Sequence, residues 1–253
     1  MSIRNYISGV WYHQKMLGFP DYSSSFMLIQ TLNGIERSFD YSGKAEKYPL
    51  TAVDLLEMYK LLDMSVFDDA LFWISALICF RGLLRVGHVT ASAHNIKCAD
   101  VLVSEGFIVI NILSSKTDQF GSKPFPVILH DMPGSPLCVR GIVLLLLKGS
   151  SKEDCLVSHM CHGKKCPSDY AFINDRLKSL SSTINIPVAR VSTHSFRHGG
   201  ATMLKSLGVP VESIMIRGNW KSSAVFRYLH QSTVEMLGLE QVPCNYMSKL
   251  SVN

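Results

Sequence analysis

The chain has 253 residues, of which 47% are hydrophobic, and this is enough to bury a substantial core. Its longest apolar stretches, residues 70–80 and 141–147, are much shorter than the roughly 20 residues that span a bilayer, and the amino terminus does not resemble a secretory signal. The odd number of cysteines, seven, argues against a disulfide framework, while 25 Lys and Arg against 20 Asp and Glu permit a polyanionic partner without requiring one. We therefore expect a soluble protein of the nucleus or cytoplasm, without a membrane span.

The amino-terminal part of the chain predicts two helices followed by a linker. Apolar residues recur at helical spacing over residues 1–19 and again over residues 23–35. Residues 40–48 are polar and precede a new helical pattern, which is typical of a connection between domains. The expected organisation is a helical segment at residues 1–39, the linker, and one large domain at residues 49–253.

The large domain is expected to be mainly α-helical with a small antiparallel β-sheet, an α+β fold. Thr51 is a suitable N-cap for a helix over residues 51–62, and residues 66–84 predict a long, mostly buried helix. Residues 95–129 contain β-rich runs separated by a polar turn, which indicates the sheet. Helical patterns then run over residues 139–237, interrupted by a polar loop rich in Cys, His and Lys.

The segment THSFRHGGAT, residues 193–202, places His194, Arg197 and His198 at the start of a helix. The spacing i, i+3, i+4 puts these side chains on one face. A helix start also offers backbone N–H groups without partners and the positive end of the helix dipole, and both favour a phosphate. The pattern predicts an anion site, although a capped helix start with a hydrogen-bonded histidine explains it equally well.

Other candidate residues have ordinary explanations when each is considered alone. Trp220 and Tyr228 lie eight residues apart, with a polar turn between them, and a tyrosine on a helix usually serves packing. Arg85 follows a buried helix, where a charge is costly unless it has a partner or a function. Lys116 lies in the turn between two predicted strands, a place where lysines are ordinarily solvated. Their order along the chain is more informative than any one of them.

That order resembles the tyrosine recombinase, or phage-integrase, family: an Arg after a buried helix, a Lys on a β-hairpin, His-x-x-Arg-His, a His or Trp in a turn, and then Tyr. The segments GLLRVGH, SKTDQFG, HSFRHGGAT and GNWKSSAVFRYL are most similar to recombinases of eukaryotic mobile elements of the DIRS and Crypton type. The resemblance covers roughly residues 50–235 and implies the catalytic-domain fold of that family.

The resemblance implies a pocket for the scissile phosphate of DNA. Arg85 and Arg197 would hold the phosphate, and His194 and Trp220 would complete the pocket, with His198 in support. Two guanidiniums suit this role because attack on a phosphodiester builds negative charge on its non-bridging oxygens.

The resemblance also implies the groups that make and break bonds. Tyr228 would attack phosphorus and form a 3′-phosphotyrosyl bond, and Lys116 would donate a proton to the leaving 5′-oxygen. A phenol with a pKa of about 10 is a poor nucleophile, so a base such as His194 or His198 would have to assist it. The covalent link conserves the energy of the broken bond, and no metal or other cofactor is expected.

The partners implied by the resemblance are double-stranded DNA and three further copies of the chain, in a homotetramer on DNA. We expect neither a membrane nor a small-molecule substrate. A transposon-type integrase of the nucleus is the expected biological setting.

Two departures from the family pattern leave an alternative open. His88 stands where the family usually has an acidic residue that supports the site. Residues 1–39 resemble only the last part of the helical core-binding domain that family members carry, so a truncated gene product or partial gene model is expected. The alternative function is a catalytically inactive, DNA-binding relic of a mobile-element recombinase.

The polar loop CLVSHMCHGKKC contains potential zinc ligands, whose spacing matches no zinc motif. These ligands are Cys155, His159, Cys161, His162 and Cys166. A surface loop bearing lysines and cysteines is favoured over a metal site, and His162, Lys164 and Lys165 could instead contact a DNA backbone.

Overall fold

The computed structural model describes residues 3–38, 47–114, 124–161, 164–221 and 225–226. The chain separates into two compact units, Met1–Glu46 and Lys47–Asn253. Most of the predicted linker, residues 40–48, lies outside the described residues, so the linker and the interpretation of the first unit as a core-binding remnant stay predictions. Within the described ranges, no helix combines the length and apolar character needed to cross a membrane.

The first unit contains the two predicted helices, α1 (Ile3–Met16) and α2 (Phe26–Ser38). Arg4 Nη2 on α1 donates a hydrogen bond to Asn33 Oδ1 on α2, at 2.9 Å. Helix α1 buries none of its residues, and α2 buries Leu32. Among the described residues of this unit, little apolar packing therefore holds α1 and α2 together.

The second unit begins with two helices that local signals predict well. Helix α3 (Ala52–Lys60) starts after Thr51, whose side-chain oxygen accepts from the Asp54 N–H while the Asp54 carboxylate accepts from the Thr51 N–H. Helix α4 (Phe67–Arg81) is buried on all sides over residues 69–80. It ends three residues before its predicted end, because Leu83 adopts a left-handed conformation with φ of 51°.

The predicted antiparallel sheet is present, with strands β1 (Val101–Ser104), β2 (Phe107–Ile112) and β3 (Phe125–His130) in the order β1-β2-β3. Alternate residues of β2 are buried, as expected for a sheet with one face on the core. Strands β2 and β3 flank the segment that contains Lys116, and this segment lies outside the described residues.

The remaining elements are helices and one short hairpin. They are α5 (Arg140–Leu147), β4 (Ser158–Cys161), β5 (Lys164–Pro167), α6 (Tyr170–Thr183), α7 (His194–Ser206) and α8 (Val211–Arg217). The prediction of a polar loop at residues 155–166 was wrong where β4 and β5 pair in antiparallel register. The buried residues Leu156 and Val157 lead into this hairpin, and its polar composition concealed the pairing.

Two glycines allow α7 to lie directly against the centre of the second unit. A Cβ on Gly199 would be 1.7 Å from the Leu50 carbonyl oxygen, and a Cβ on Gly200 would be 2.1 Å from the Phe80 carbonyl oxygen. The main core surrounds α4, and a smaller apolar cluster lies beside it, formed by Leu83, Ala201, Ile214, Trp220 and Val225. This arrangement brings the end of α4, the start of α7 and the chain after α8 into one region.

Candidate active site

The turn after α4 places Arg85, which is partly buried. Leu83 is 1% exposed and lies against α7, where a Cβ on Gly200 would be 2.7 Å from Leu83 Cδ2. A left-handed leucine is strained, and such strain persists only where the surrounding packing holds it. The fit between Leu83 and Gly200 therefore fixes the path of the chain to Arg85.

Arg197 lies in the first turn of α7 and is only 2% exposed. Its Nη2 donates a hydrogen bond to the Gly218 carbonyl oxygen at 2.8 Å, and its Cζ lies 3.9 Å from the centroid of the Trp220 ring. A guanidinium over an aromatic face is a favourable cation–π contact. These contacts hold the Arg197 side chain in one orientation.

The turn after α8 positions the Trp220 ring. Asn219 adopts a left-handed conformation with φ of 50°, which asparagine tolerates better than most residues. A Cβ on Gly218 would be 1.8 Å from Trp220 Cζ3, so glycine is required where the ring folds back. The ring is 7% exposed and belongs to the smaller apolar cluster together with Val225, which precedes Tyr228 by three residues.

The two histidines of the segment THSFRHGGAT differ in environment. His194 is exposed at the first position of α7, whereas His198, one turn later, is 4% exposed. The side chain of the N-cap residue, Thr193, makes no capping hydrogen bond, and the first turn of α7 contains no acidic residue. The positive end of this helix dipole is therefore not neutralised from within the helix.

His88 lies in a 3-10 turn, Val86–His88, directly after Arg85 and is 3% exposed. Its Nδ1 is 3.0 Å from the His94 carbonyl oxygen, and since a carbonyl can only accept, Nδ1 carries the hydrogen. The pKa of His88 is lowered to about 4, mainly by burial and also by the positive charges of Arg85 and Arg197, against the raising effect of the hydrogen bond to the His94 carbonyl. His88 is therefore neutral at pH 7, and both guanidiniums are near enough to affect it.

The structure thus brings together Arg85, His88, Arg197 and Trp220, with His198 one residue beyond Arg197. The predicted nucleophile Tyr228 and the predicted acid Lys116 lie outside the described residues. The roles that the sequence assigned to all these side chains stay predictions.

Sequence reasoning missed two arginines that organise the region. Arg81 donates from Nη1 to the Leu137 carbonyl oxygen at 3.0 Å and from Nη2 to the His130 carbonyl oxygen at 2.7 Å. Arg217, at the end of α8, donates from Nη2 to the Arg81 carbonyl oxygen at 2.9 Å. Bonds from a side chain to a distant carbonyl follow no sequence period, so no pattern indicated them.

The potential zinc ligands of residues 155–166 do not form a metal site among the side chains that the structure describes, where no cluster of three or more His, Cys, Asp or Glu suits a metal ion. Cys155 Sγ instead accepts from Asn95 Nδ2 at 2.9 Å and from Lys97 Nζ at 3.3 Å. His162 lies outside the described residues.

The three-dimensional structure is similar to solved structures of DNA recombinases. It matches the XerH site-specific recombinase, in a pre-cleavage complex with its difH substrate, with a TM-score of 0.57 and 17% identity over 79% of this chain and 55% of that one. The XerA recombinase gives a TM-score of 0.56 and 19% identity over 83% of this chain and 66% of that one. The Tn1549 transposon integrase, in complex with circular-intermediate DNA, gives a TM-score of 0.54 and 13% identity over 96% of this chain and 87% of that one.

These matches establish the fold. The second unit has the catalytic-domain fold of tyrosine recombinases, mainly helical with small antiparallel sheets, as the sequence resemblance implied. The chain spans little more than half the length of the XerH recombinase that it matches. No protein-family model and no characterised protein matches the amino-acid sequence itself.

Proposed function

We propose that this chain cuts and rejoins DNA strands through a 3′-phosphotyrosyl intermediate, as the catalytic part of a tyrosine-type DNA recombinase or integrase. The observation that carries the proposal is the pocket in which Arg197 stacks on Trp220, and in which Arg85 and Arg197 both lie near enough to the buried His88 for their positive charges to lower its pKa. This pocket lies within a fold shared with recombinases that were solved on DNA.

The charge of the pocket suits a phosphodiester in its transition state. The two guanidiniums donate fixed hydrogen bonds to non-bridging oxygens, and a pocket built before the reaction avoids reorganisation as negative charge develops. His88 is neutral, so it does not cancel either positive charge. The start of α7 has no side-chain cap and no acidic residue, so it adds a partial positive charge in the turn that carries Arg197.

The reaction proposed for this pocket conserves atoms and protons. The Tyr228 oxygen bonds to phosphorus, the bond from phosphorus to the 5′-oxygen breaks, and Lys116 gives the leaving oxygen its proton. The phenolic proton passes to a base, for which His194 and His198 are the candidates. Rejoining reverses these steps with the 5′-hydroxyl of a partner strand, so the scheme needs neither a metal nor a nucleotide cofactor.

The proposed partners are double-stranded DNA and further copies of the chain, in a homotetramer on DNA, because two duplexes must each be cut on both strands. The similarity to a transposon integrase over nearly the whole chain supports a mobile-element setting. The narrower affiliation with DIRS and Crypton elements, and a nuclear location, rest on the sequence alone.

The decisive experiment presents the purified chain with a pool of nicked suicide duplexes that carry a randomised core. A protein–DNA adduct that survives denaturing electrophoresis is expected, and sequencing the trapped DNA identifies the preferred site. Tyr228→Phe is expected to abolish the adduct while salt-sensitive binding to DNA persists. Lys116→Ala is expected to slow adduct formation.

Binding without an adduct in the unsubstituted chain would contradict the proposal and favour the inactive DNA-binding relic. Substituting His88 by Glu, since the family usually has an acidic residue at this position, then tests whether His88 is the cause of inactivity.

A further inference from the structure

Two histidines connect the arginine pocket with the end of strand β2. The loop after Arg85 returns on itself, since the Ile96 N–H donates to the His88 carbonyl oxygen at 2.8 Å and His88 Nδ1–H donates to the His94 carbonyl oxygen at 3.0 Å. The His94 N–H donates to Ser92 Oγ at 3.1 Å. His94 is therefore held through both its main-chain N–H and its carbonyl.

The side chain of His94 makes a separate contact. Its Nδ1 is 2.9 Å from Ser114 Oγ, and Ser114 follows the last residue of β2, Ile112, by two positions. The main-chain carbonyl of His94 thus binds His88, beside the arginine pocket, while the His94 imidazole contacts Ser114, where the chain leaves the sheet. Substituting the His94 imidazole removes the second contact and leaves the carbonyl that binds His88 in place.

We propose that His94 is a positioning residue for DNA cleavage, which fixes the chain leaving β2 relative to the arginine pocket through its hydrogen bond with Ser114. The inference rests on the proposed function. Its consequence lies two residues beyond Ser114, at Lys116, the predicted donor of the proton to the 5′-oxygen. An acid displaced by even a fraction of an ångström protonates its target less effectively, because proton transfer requires hydrogen-bond reach.

A positioning role differs measurably from a structural one when the leaving group is changed. In a duplex whose bridging 5′-oxygen at the scissile phosphate is replaced by sulfur, the phosphorus–sulfur bond breaks in place of the phosphorus–oxygen bond. The leaving thiolate needs no proton. Cleavage of this 5′-phosphorothiolate therefore depends on the arginine pocket and the nucleophile and not on a general acid. A variant that misplaces only the acid loses activity on the oxygen substrate alone.

The experiment uses the full chain and the site recovered from the randomised pool, synthesised with either oxygen or sulfur at the bridging position. Ser114→Ala is expected to slow cleavage of the oxygen substrate roughly tenfold, the effect of one lost hydrogen bond, and to leave the sulfur substrate within about twofold of the unsubstituted chain. Ser114→Thr keeps a hydroxyl and is expected to restore most of the rate.

A double-mutant cycle identifies the bond itself. His94→Phe is expected to match Ser114→Ala, and the double variant is expected to be no slower than either single variant, because both remove the same interaction. Equal losses on both substrates, independent additive losses, or no loss on the oxygen substrate would each overturn the positioning role. If the unsubstituted chain cleaves neither substrate, the proposed function fails and the inference fails with it.

Discussion

Helices α4 and α7 pack against each other, but they are stabilised by different interactions. Residues 69–80 of α4 are all buried and mostly apolar, so hydrophobic burial is the main interaction that stabilises this helix. Helix α7 buries residues 195–201, which include a guanidinium, an imidazole and two adjacent glycines. Polar groups are costly to bury, so α7 depends on close backbone contacts and specific partners. Helix α4 therefore acts as a scaffold, and the candidate chemistry lies on α7, the helix whose buried face is less favourable.

The largest effect expected from this comparison concerns activity. Arg197→Lys keeps the positive charge but loses the planar fork, its bond to Gly218 and its stacking on Trp220, so DNA cleavage is expected to fall about a hundredfold to a thousandfold. Adduct formation on the suicide duplex measures this. Arg176→Lys is the matched control. Arg176 lies on α6, and its guanidinium pairs with Asp69 in the first turn of α4. Cleavage at the unsubstituted rate in Arg197→Lys would show that α7 does not carry the chemistry.

The next effect concerns the close contact between α7 and the chain before α3. Gly199→Ala places a methyl group where the Leu50 carbonyl oxygen lies, and the free energy of unfolding is expected to fall by about 3 kcal/mol or more. Urea denaturation measures the loss. Gly141→Ala on α5 has open space around it and is expected to be neutral or to stabilise by up to about 1 kcal/mol. A similar change in the free energy of unfolding for the two variants would contradict the tight packing of α7.

The third effect depends on pH. The folded chain holds the pKa of His88 at about 4, below its ordinary value of 6.5, mainly because the ring is buried. The unfolded chain therefore binds a proton first as pH falls, and stability that is complete above pH ~6.5 is lost progressively towards pH ~4, by up to about 3 kcal/mol. The urea midpoint of unfolding should change less steeply with pH over this range in His88→Gln than in the unsubstituted chain. An unchanged slope would mean that His88 is not the titrating group.

The smallest effect tests the start of α3, next to the segment on which α7 packs. Thr51→Ala removes the capping box with Asp54 and is expected to lower the free energy of unfolding by about 1 kcal/mol. Thr31→Ala is the matched control, since the exposed Thr31 only donates to the Met27 carbonyl within α2. Its effect is expected to stay within about 0.5 kcal/mol. Equal losses in the two variants would indicate that the cap makes no special contribution.

Local signals in the sequence were sufficient for much of the fold. Thr51 with Asp54 three residues later is a capping pattern that the chain itself satisfies, and the alternation of β2 reports its one buried face. The end of α4 was not predictable in this way. Leu83 is an apolar residue that continues the helical pattern, and its left-handed conformation results from packing against α7.

The same distinction between local sequence signals and long-range packing applies to the candidate site. The spacing of His194, Arg197 and His198 is a local pattern, and it correctly indicated the start of a helix. Local spacing did not indicate that His194 would be exposed while the other two are buried, because this depends on which face meets α4. The bonds of His94 and Arg217 join residues far apart in the sequence, and only the folded chain reveals them.

The guanidinium of Arg217 has a dynamic consequence. It donates to the carbonyl oxygen of Arg81 at the end of α4 and, at 3.4 Å, to that of Ile128 in β3. Arg217 thus links α8 to both the last turn of α4 and β3. Transient opening of any one of the three elements therefore breaks a hydrogen bond with another. The three elements should exchange their amide hydrogens with solvent as one cooperative unit, although they are distant in the sequence.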